Sequence, residues 1–208
     1  STLLKISNSA MFGFRSKVET PSRAINLLGI NFTISIAIGG TVQNLLMTNL
    51  EPYSISSDDF MRASNISSSL ANVWLSKIDG ELKEEIILPA LLQETGKFIL
   101  ADLISHGGKS EVFKTKISSG ISIEDAEKEL LGVTTSEITA KIFRHWKLSE
   151  NLIAMIENVD DISKASDNYR KKAQILDVIK TASNIKEPLS DENVEKAEEI
   201  LNELKKDY

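Results

Sequence analysis

From Asp58 onward, apolar residues recur every three or four positions, the spacing that lines one face of a helix. Ser56-Ser57-Asp58-Asp59 reads as a helix start, with a stripe of Phe60, Ile66, Leu70, Val73 and Trp74 running to Lys77, where Asp79-Gly80 interrupts it. A second, more uniformly apolar helix is predicted from Glu81 to Thr95. Pro89 within it is expected to bend or split the helix, and Gly96 reads as its stop. Phe98 to Ile104 forms a short apolar helix before Gly107-Gly108. Ser122 with Asp125, and Thr134 with Glu137, have the spacing of capping boxes. The first opens a helix that stops at Gly132; the second opens one through Ile138, Ile142, Phe143 and Trp146. Ser149 starts another through Leu152, Ile153 and Ile156, and Asp160 to Lys164 reads as a polar joint. Residues 165–183 are predicted helical. Pro188-Leu189-Ser190 precedes a last amphipathic helix with Val194, Ala197, Ile200, Leu201 and Leu204 on its buried stripe.

The first fifty residues are less uniform. Thr20-Pro21 has the form of an N-cap followed by proline in the first turn, opening a short helix over Ser22 to Leu28 that ends at Gly29. In residues 31–38, Phe32, Ile34, Ile36 and Ile38 alternate with smaller residues, which by period reads as a strand. No second alternating run follows to pair with it, so a helix is preferred there, with the alternative left open. The expected class is all-α, a helical bundle without internal repeats.

Composition narrows the function classes. A chain of 208 residues can bury a substantial core, and 41% hydrophobic with 26% charged residues is ordinary for a globular protein. No run is apolar enough to span a bilayer, so no membrane association is expected. The opening Ser-Thr-Leu-Leu does not read as a secretory leader, and the native start is expected upstream of Ser1. With no cysteine there are no disulfides, thiolate metal sites or cysteine nucleophiles, which suits the cytoplasm. The net charge of −6 comes mostly from residues 150–208, which hold 9 basic against 14 acidic side chains. That balance argues against nucleic acid as a partner, despite Lys5, Arg15, Lys17 and Arg23 near the N-terminus.

Candidate chemistry is sparse. The two histidines, His106 and His145, fall in different predicted elements, and neither has a carboxylate or histidine three or four residues on. Gly39-Gly40 and Gly107-Gly108 match no phosphate-binding pattern. Ser67-Ser68-Ser69 lies on a predicted helix without a nearby histidine, where small side chains would let helices approach closely. Adjacent carboxylates such as Asp58-Asp59 and Asp160-Asp161 point apart on a helix and read as solvated surface. The unusual pair is Gln93-Glu94, polar at the end of an apolar helix; the plain role for Glu94 is a bond to local amides or to Lys97.

Several segments together resemble the HDOD family, the HD-related output domains of bacterial signalling proteins. They are Leu4 to Gly13, containing Asn8-Ser9-Ala10; Thr20 to Gly29; and Gln93-Glu94-Thr95-Gly96-Lys97. Lys141 to Ser149, with Trp146, is similar to a further family segment. The resemblance runs to about residue 161. It implies an HD-like core over 51–161, helices over 1–50, and a C-terminal helical extension over 162–208. It also implies that metal-binding positions of HD phosphohydrolases are here Ala63, Gln93-Glu94, Thr135 and the region Asn158 to Asp161.

On that resemblance the expected function is a non-catalytic signalling domain in bacteria, with a protein partner, a possible small ligand, and no metal or other cofactor. Its candidate groove and motif residues are Asn8, Ser9, Gln93, Glu94, Lys97 and Trp146. For each, capping or packing a helix is the competing role, and for Trp146 the favoured one. The alternative is a diverged metal-dependent phosphohydrolase acting on nucleotides or cyclic dinucleotides. A helical nucleic-acid binder ranks last.

Overall fold

The structure, a computed structural model, describes Thr20 and residues 49–204. The chain divides into two compact units, Ser1–Met47 and Thr48–Tyr208, and every helix described belongs to the second. The predicted helix at Ser22 to Leu28, the ambiguous residues 31–38, and Asn8 and Ser9 lie outside the described residues.

The described residues are all-α, with no strand among them. After a 3₁₀ turn at Glu51–Tyr53 come α1 (Ser57–Leu75), α2 (Gly80–Leu92), α3 (Lys97–His106), α4 (Ser110–Ser118) and α5 (Ile123–Leu131). Then follow α6 (Thr135–His145), α7 (Glu150–Glu157), a second 3₁₀ turn at Ile162–Lys164, α8 (Asp167–Ala182) and α9 (Asp191–Leu204). Their starts follow local capping chemistry. Ser56 and Thr134 each form a full capping box, with Asp59 and Glu137. The Ser122 hydroxyl accepts from the Asp125 amide, and Gly132 ends α5 in the left-handed conformation that favours glycine.

The core is built around α2, which packs against α1, α7 and α8. Its second half, Ile86 to Leu92, is apolar on all sides and belongs in such a central position. Ile86, Ala90 and Leu92 of α2 share one buried cluster with Leu75 of α1, Phe143 of α6, Ile153 and Ile156 of α7, and Leu176 and Ile179 of α8. The C-terminal extension thus contributes to the same core as the helices before it. In α9, Ala197 and Leu204 are buried and Ile200 and Leu201 half-buried, as the stripe requires.

Two expectations are corrected and a third, that for Pro89, is narrowed. Val73 is not on the inner face of α1: it is 59% exposed, and the buried positions are Phe60, Ala63, Ser64, Ser67, Ser68, Ala71 and Leu75. A face of serines and alanines is invisible to hydrophobic periodicity but lets α1 lie close along α2. Pro89 does not split α2, which runs unbroken to Leu92 and closes with Gln93 N–H donating to Pro89 O at 2.8 Å. Gly96 is not a helix stop. Its φ of −59° is ordinary for any residue, and it sits immediately before α3. Glycine is needed because a Cβ there would lie 2.4 Å from the Thr135 carbonyl oxygen and 2.9 Å from Thr139 Oγ1.

That contact separates two glycines that look alike in sequence. Gly96→Ala should destabilise the protein by about 1–3 kcal/mol, the usual range for overpacking. Gly80→Ala, where a Cβ meets nothing within 4 Å, should be neutral or stabilise by up to about 1 kcal/mol. Urea denaturation of the two variants checks the difference.

Candidate functional site

The turn between α2 and α3 carries Gln93 and Glu94 and delivers Lys97 as the first residue of α3. All three point into the protein. Gln93 is 2% exposed; its Nε2 donates to Ser67 Oγ of α1 at 3.2 Å, and its backbone oxygen accepts from Thr139 Oγ1 at 3.0 Å. Lys97, with 1% of its side chain exposed, forms an ion pair with Glu94 that lacks hydrogen-bond alignment. Its Nζ donates to Thr135 Oγ1 at 3.2 Å and lies 3.7 Å from Glu127 Oε1 and 5.3 Å from the centre of the Tyr53 ring.

Glu127 is fully buried and has every requirement of a buried carboxylate met. It accepts from Tyr53 O–H at 2.8 Å, Thr135 O–H at 2.6 Å and Thr135 N–H at 2.6 Å. The last bond places its charge at the N-terminus of α6, where the helix dipole favours an anion. Burial opposes ionisation of Glu127, and although Lys97 pulls the other way its pKa is raised. Burial likewise raises the Tyr53 phenol, helped by Glu127. For Lys97, burial alone would lower the pKa, but Glu94 and then Glu127 outweigh it and the pKa is raised.

Glu94 links this group to a second one. Its other oxygen lies 3.8 Å from Nζ of Lys180, on α8. The same ammonium reaches Asp160 at 2.5 Å and Glu124 at 2.7 Å, while Ser136 bonds the free oxygen of Asp160. Asp160 is therefore a correction: predicted as part of a polar surface joint, it is only 12% exposed and closes an ion network. Burial would discharge Lys180, yet Asp160, Glu124 and Glu94 raise its pKa well above that of a free lysine. Burial also opposes ionisation of Glu124, but Lys180 and Lys97 hold its pKa down at about 2. Asp177, one turn before Lys180 on α8, has the opposite fate. Burial pushes it up to about 6; Lys180 pulls it down, but Asp160 and Glu124 add to the rise.

Glu94, Lys97, Glu124, Asp160, Asp177 and Lys180 form the floor of an open groove of about 670 Å³. Ile117, Ile121, Ile123 and Ile162 line its sides, and Lys186 and Asn193 come from the segments flanking the end of α8 and the start of α9. Glu94 and Lys97 lie in this groove. Gln93 lies behind it, lining a cavity of about 10 Å³ with Ala63, Ser64, Ser183, Glu94 and Lys180. Trp146 is elsewhere: it caps the C-terminal end of α6 and stacks on Phe143, with 5.9 Å between ring centres. His106 and His145 are exposed at the ends of α3 and α6. Among the described residues no three His, Asp or Glu side chains are grouped to hold a metal ion.

Sequence reasoning missed Tyr53, Glu124, Glu127, Asp177 and Lys180, and reached Asp160 only as part of the region Asn158 to Asp161. The one local hint was Glu124 and Glu127, two carboxylates three residues apart on the face of α5 that also carries buried Ala126.

The family model for the HDOD domain matches residues 1–162. The chain belongs to the HDOD family. The fold of this HDOD protein is similar to that of a virulence factor from Campylobacter jejuni, with 23% identity, a TM-score of 0.66, and coverage of 99% of this chain and 75% of that one. It is also similar to a Shewanella amazonensis protein titled "Putative phosphohydrolase", at 22% identity, a TM-score of 0.72, and coverage of 98% and 71%. An HDOD domain protein of unknown function from Geobacter sulfurreducens gives 13% identity, a TM-score of 0.69, and coverage of 99% and 76%. At these identities the likeness is one of fold, and it extends through the helices past residue 162. No curated protein matches the chain. No described helix is long and apolar enough to cross a membrane.

The raised Asp177 pKa has a definite consequence for stability. A carboxyl titrating near 4 unfolded and near 6 folded stabilises the fold below pH 4, and that contribution is lost as pH rises through 6. Asp177→Asn removes this dependence. Its stability relative to the natural protein should therefore rise by about 2–3 kcal/mol between pH 4 and pH 7.5, read by urea denaturation across that range.

Proposed function

We propose that this HDOD chain works by binding rather than by hydrolysis, as a regulatory domain in a bacterial signalling pathway, with the groove as its working surface. The observation that carries this reading is the pair of lysine ammonium groups set among the carboxylates of the groove floor. Metal-assisted phosphoester hydrolysis needs ligands that hold the ion and lower the pKa of its bound water. The residues at the positions that resemble the HD ligand set do not fit that task. Ala63 has no donor atom, Gln93 is turned toward Ser67, and Thr135 is committed to Glu127 and Lys97. Glu94 and Asp160 remain, but with Lys97 beside Glu94 and Lys180 beside both, a divalent ion would meet two fixed positive charges.

What the groove offers instead is recognition. Isoleucines on the sides supply apolar area, and the fixed charges below orient a partner, the usual division of labour in a binding site. A protein segment or a small ligand of mixed polarity suits such a surface. The likeness to a protein named as a phosphohydrolase keeps the enzymatic reading worth testing directly.

Purified protein, assayed with Mg²⁺ and with Mn²⁺ on nucleotides and cyclic dinucleotides, should show no turnover above the blank. Metal-dependent hydrolysis that disappears in Glu94→Ala would overturn the binding reading. On the binding side, Ile121→Asp/Lys186→Glu should lose a partner captured from native extract, while Val112→Asp, outside the groove, should keep it. An unchanged partner set would remove the groove as the working surface.

A further inference from the structure

Lys180 occupies an unusual position for a lysine. Its ammonium is met by three carboxylates from three separate elements: Asp160 at 2.5 Å from the joint after α7, Glu124 at 2.7 Å from α5, and Glu94 at 3.8 Å from the turn before α3. None belongs to its own helix. Only 12% of the lysine side chain is exposed. An ammonium has three N–H donors and no acceptor; Asp160 and Glu124 stand within hydrogen-bond distance of it, and Glu94 adds charge from farther off.

The charge balance shows why a cation must be there. Among the described residues, Glu94, Glu124, Glu127, Asp160 and Asp177 surround two buried ammonium groups, Lys97 and Lys180. Lys97 is committed to Glu94 and Glu127, which leaves Glu124 and Asp160 dependent on Lys180. Removing that ammonium would leave like charges in a partly desolvated space, which is far more unfavourable than losing a surface ion pair.

The carboxylates and the cation also have different origins in the chain. Glu94, Glu124 and Asp160 all lie within the family match, which ends at residue 162; Lys180 lies past it. The ammonium therefore reaches the groove from the C-terminal extension. It also stands between two spaces, lining both the 10 Å³ cavity beside Ser64 and Ser183 and the open groove of 670 Å³.

We propose that Glu94, Glu124 and Asp160 form a binding site for a primary ammonium group, which the chain fills with its own Lys180. The extension thus supplies a tethered ligand that closes this part of the groove to external cations. The inference rests on the reading of the groove as a binding surface and specifies its chemistry: the recognised group is an alkylammonium, held by charge-assisted N–H···O bonds. Because α8 is anchored through Leu176 and Ile179 in the core, the cation stays in place as long as the domain is folded.

Chemical rescue tests this in the full chain. Lys180→Ala should lower the thermal midpoint, and propylammonium chloride should restore at least half of the loss in a saturable way. Tetramethylammonium chloride at the same ionic strength, which has no N–H donors, should not. The natural protein should respond to neither. Absence of a saturable propylammonium effect on the variant, or an equal effect on the natural protein, overturns the proposal. Should Lys180→Ala not fold, nitrogen-detected NMR of lysine ammonium groups in the natural protein decides. A protected signal that vanishes in Lys180→Arg and shifts in Asp160→Asn supports the site, and the lack of such a signal refutes it. Failure of rescue leaves the hydrolysis and partner assays unaffected, whereas metal-dependent turnover would strike the functional reading alone.

Discussion

A chain of alternating charges runs through the described part of this protein: Glu127, Lys97, Glu94, Lys180, and then Asp160 with Glu124. Each link joins a different element, so α3, α5, α8, the turn before α3 and the joint after α7 are positioned by one network. Buried ions are unfavourable singly, and only complete pairing with added hydrogen bonds offsets their lost hydration. The network meets that demand at Glu127 through Tyr53 and Thr135 and at Asp160 through Ser136, while the buried Glu94 Oε2 has its ion pair with Lys97 but no hydrogen bond. Apolar packing around α2 holds the helices together; the ion network dictates which of them meet at the groove.

That constraint explains features that look unrelated along the chain. Gly96 must lack a side chain because α3 starts hard against the first turn of α6, and only at that distance does Lys97 reach Thr135 and Glu127. The serine-and-alanine face of α1 lets Ser67 meet the Gln93 amide from behind. Asp177 sits beside the network, where burial raises its pKa and the charges of Asp160 and Glu124 add to the rise against the pull of Lys180.

The same arrangement bears on function. The proposed binding role rests on this arrangement, in which Lys97 and Lys180 stand among the carboxylates at the groove. The extension past the family match contributes to both the core and the ion network.

Much of this was legible in the sequence, because it depends on neighbours in the chain. Helix starts at Ser56, Ser122 and Thr134, the all-α class and the amphipathic α9 follow from capping and period, which act within a few residues. Family membership and the oddity of Gln93-Glu94 were equally visible. What the sequence could not reveal were pairings between residues far apart in the chain, such as Glu94 with Lys180 or Tyr53 with Glu127, because no local pattern marks a lysine that will be buried. It also misassigned Gly96, Val73 and Asp160, and for one reason. A glycine, an exposed valine and a surface-like aspartate have ordinary local meanings, and only the packing of distant helices decides which meaning holds.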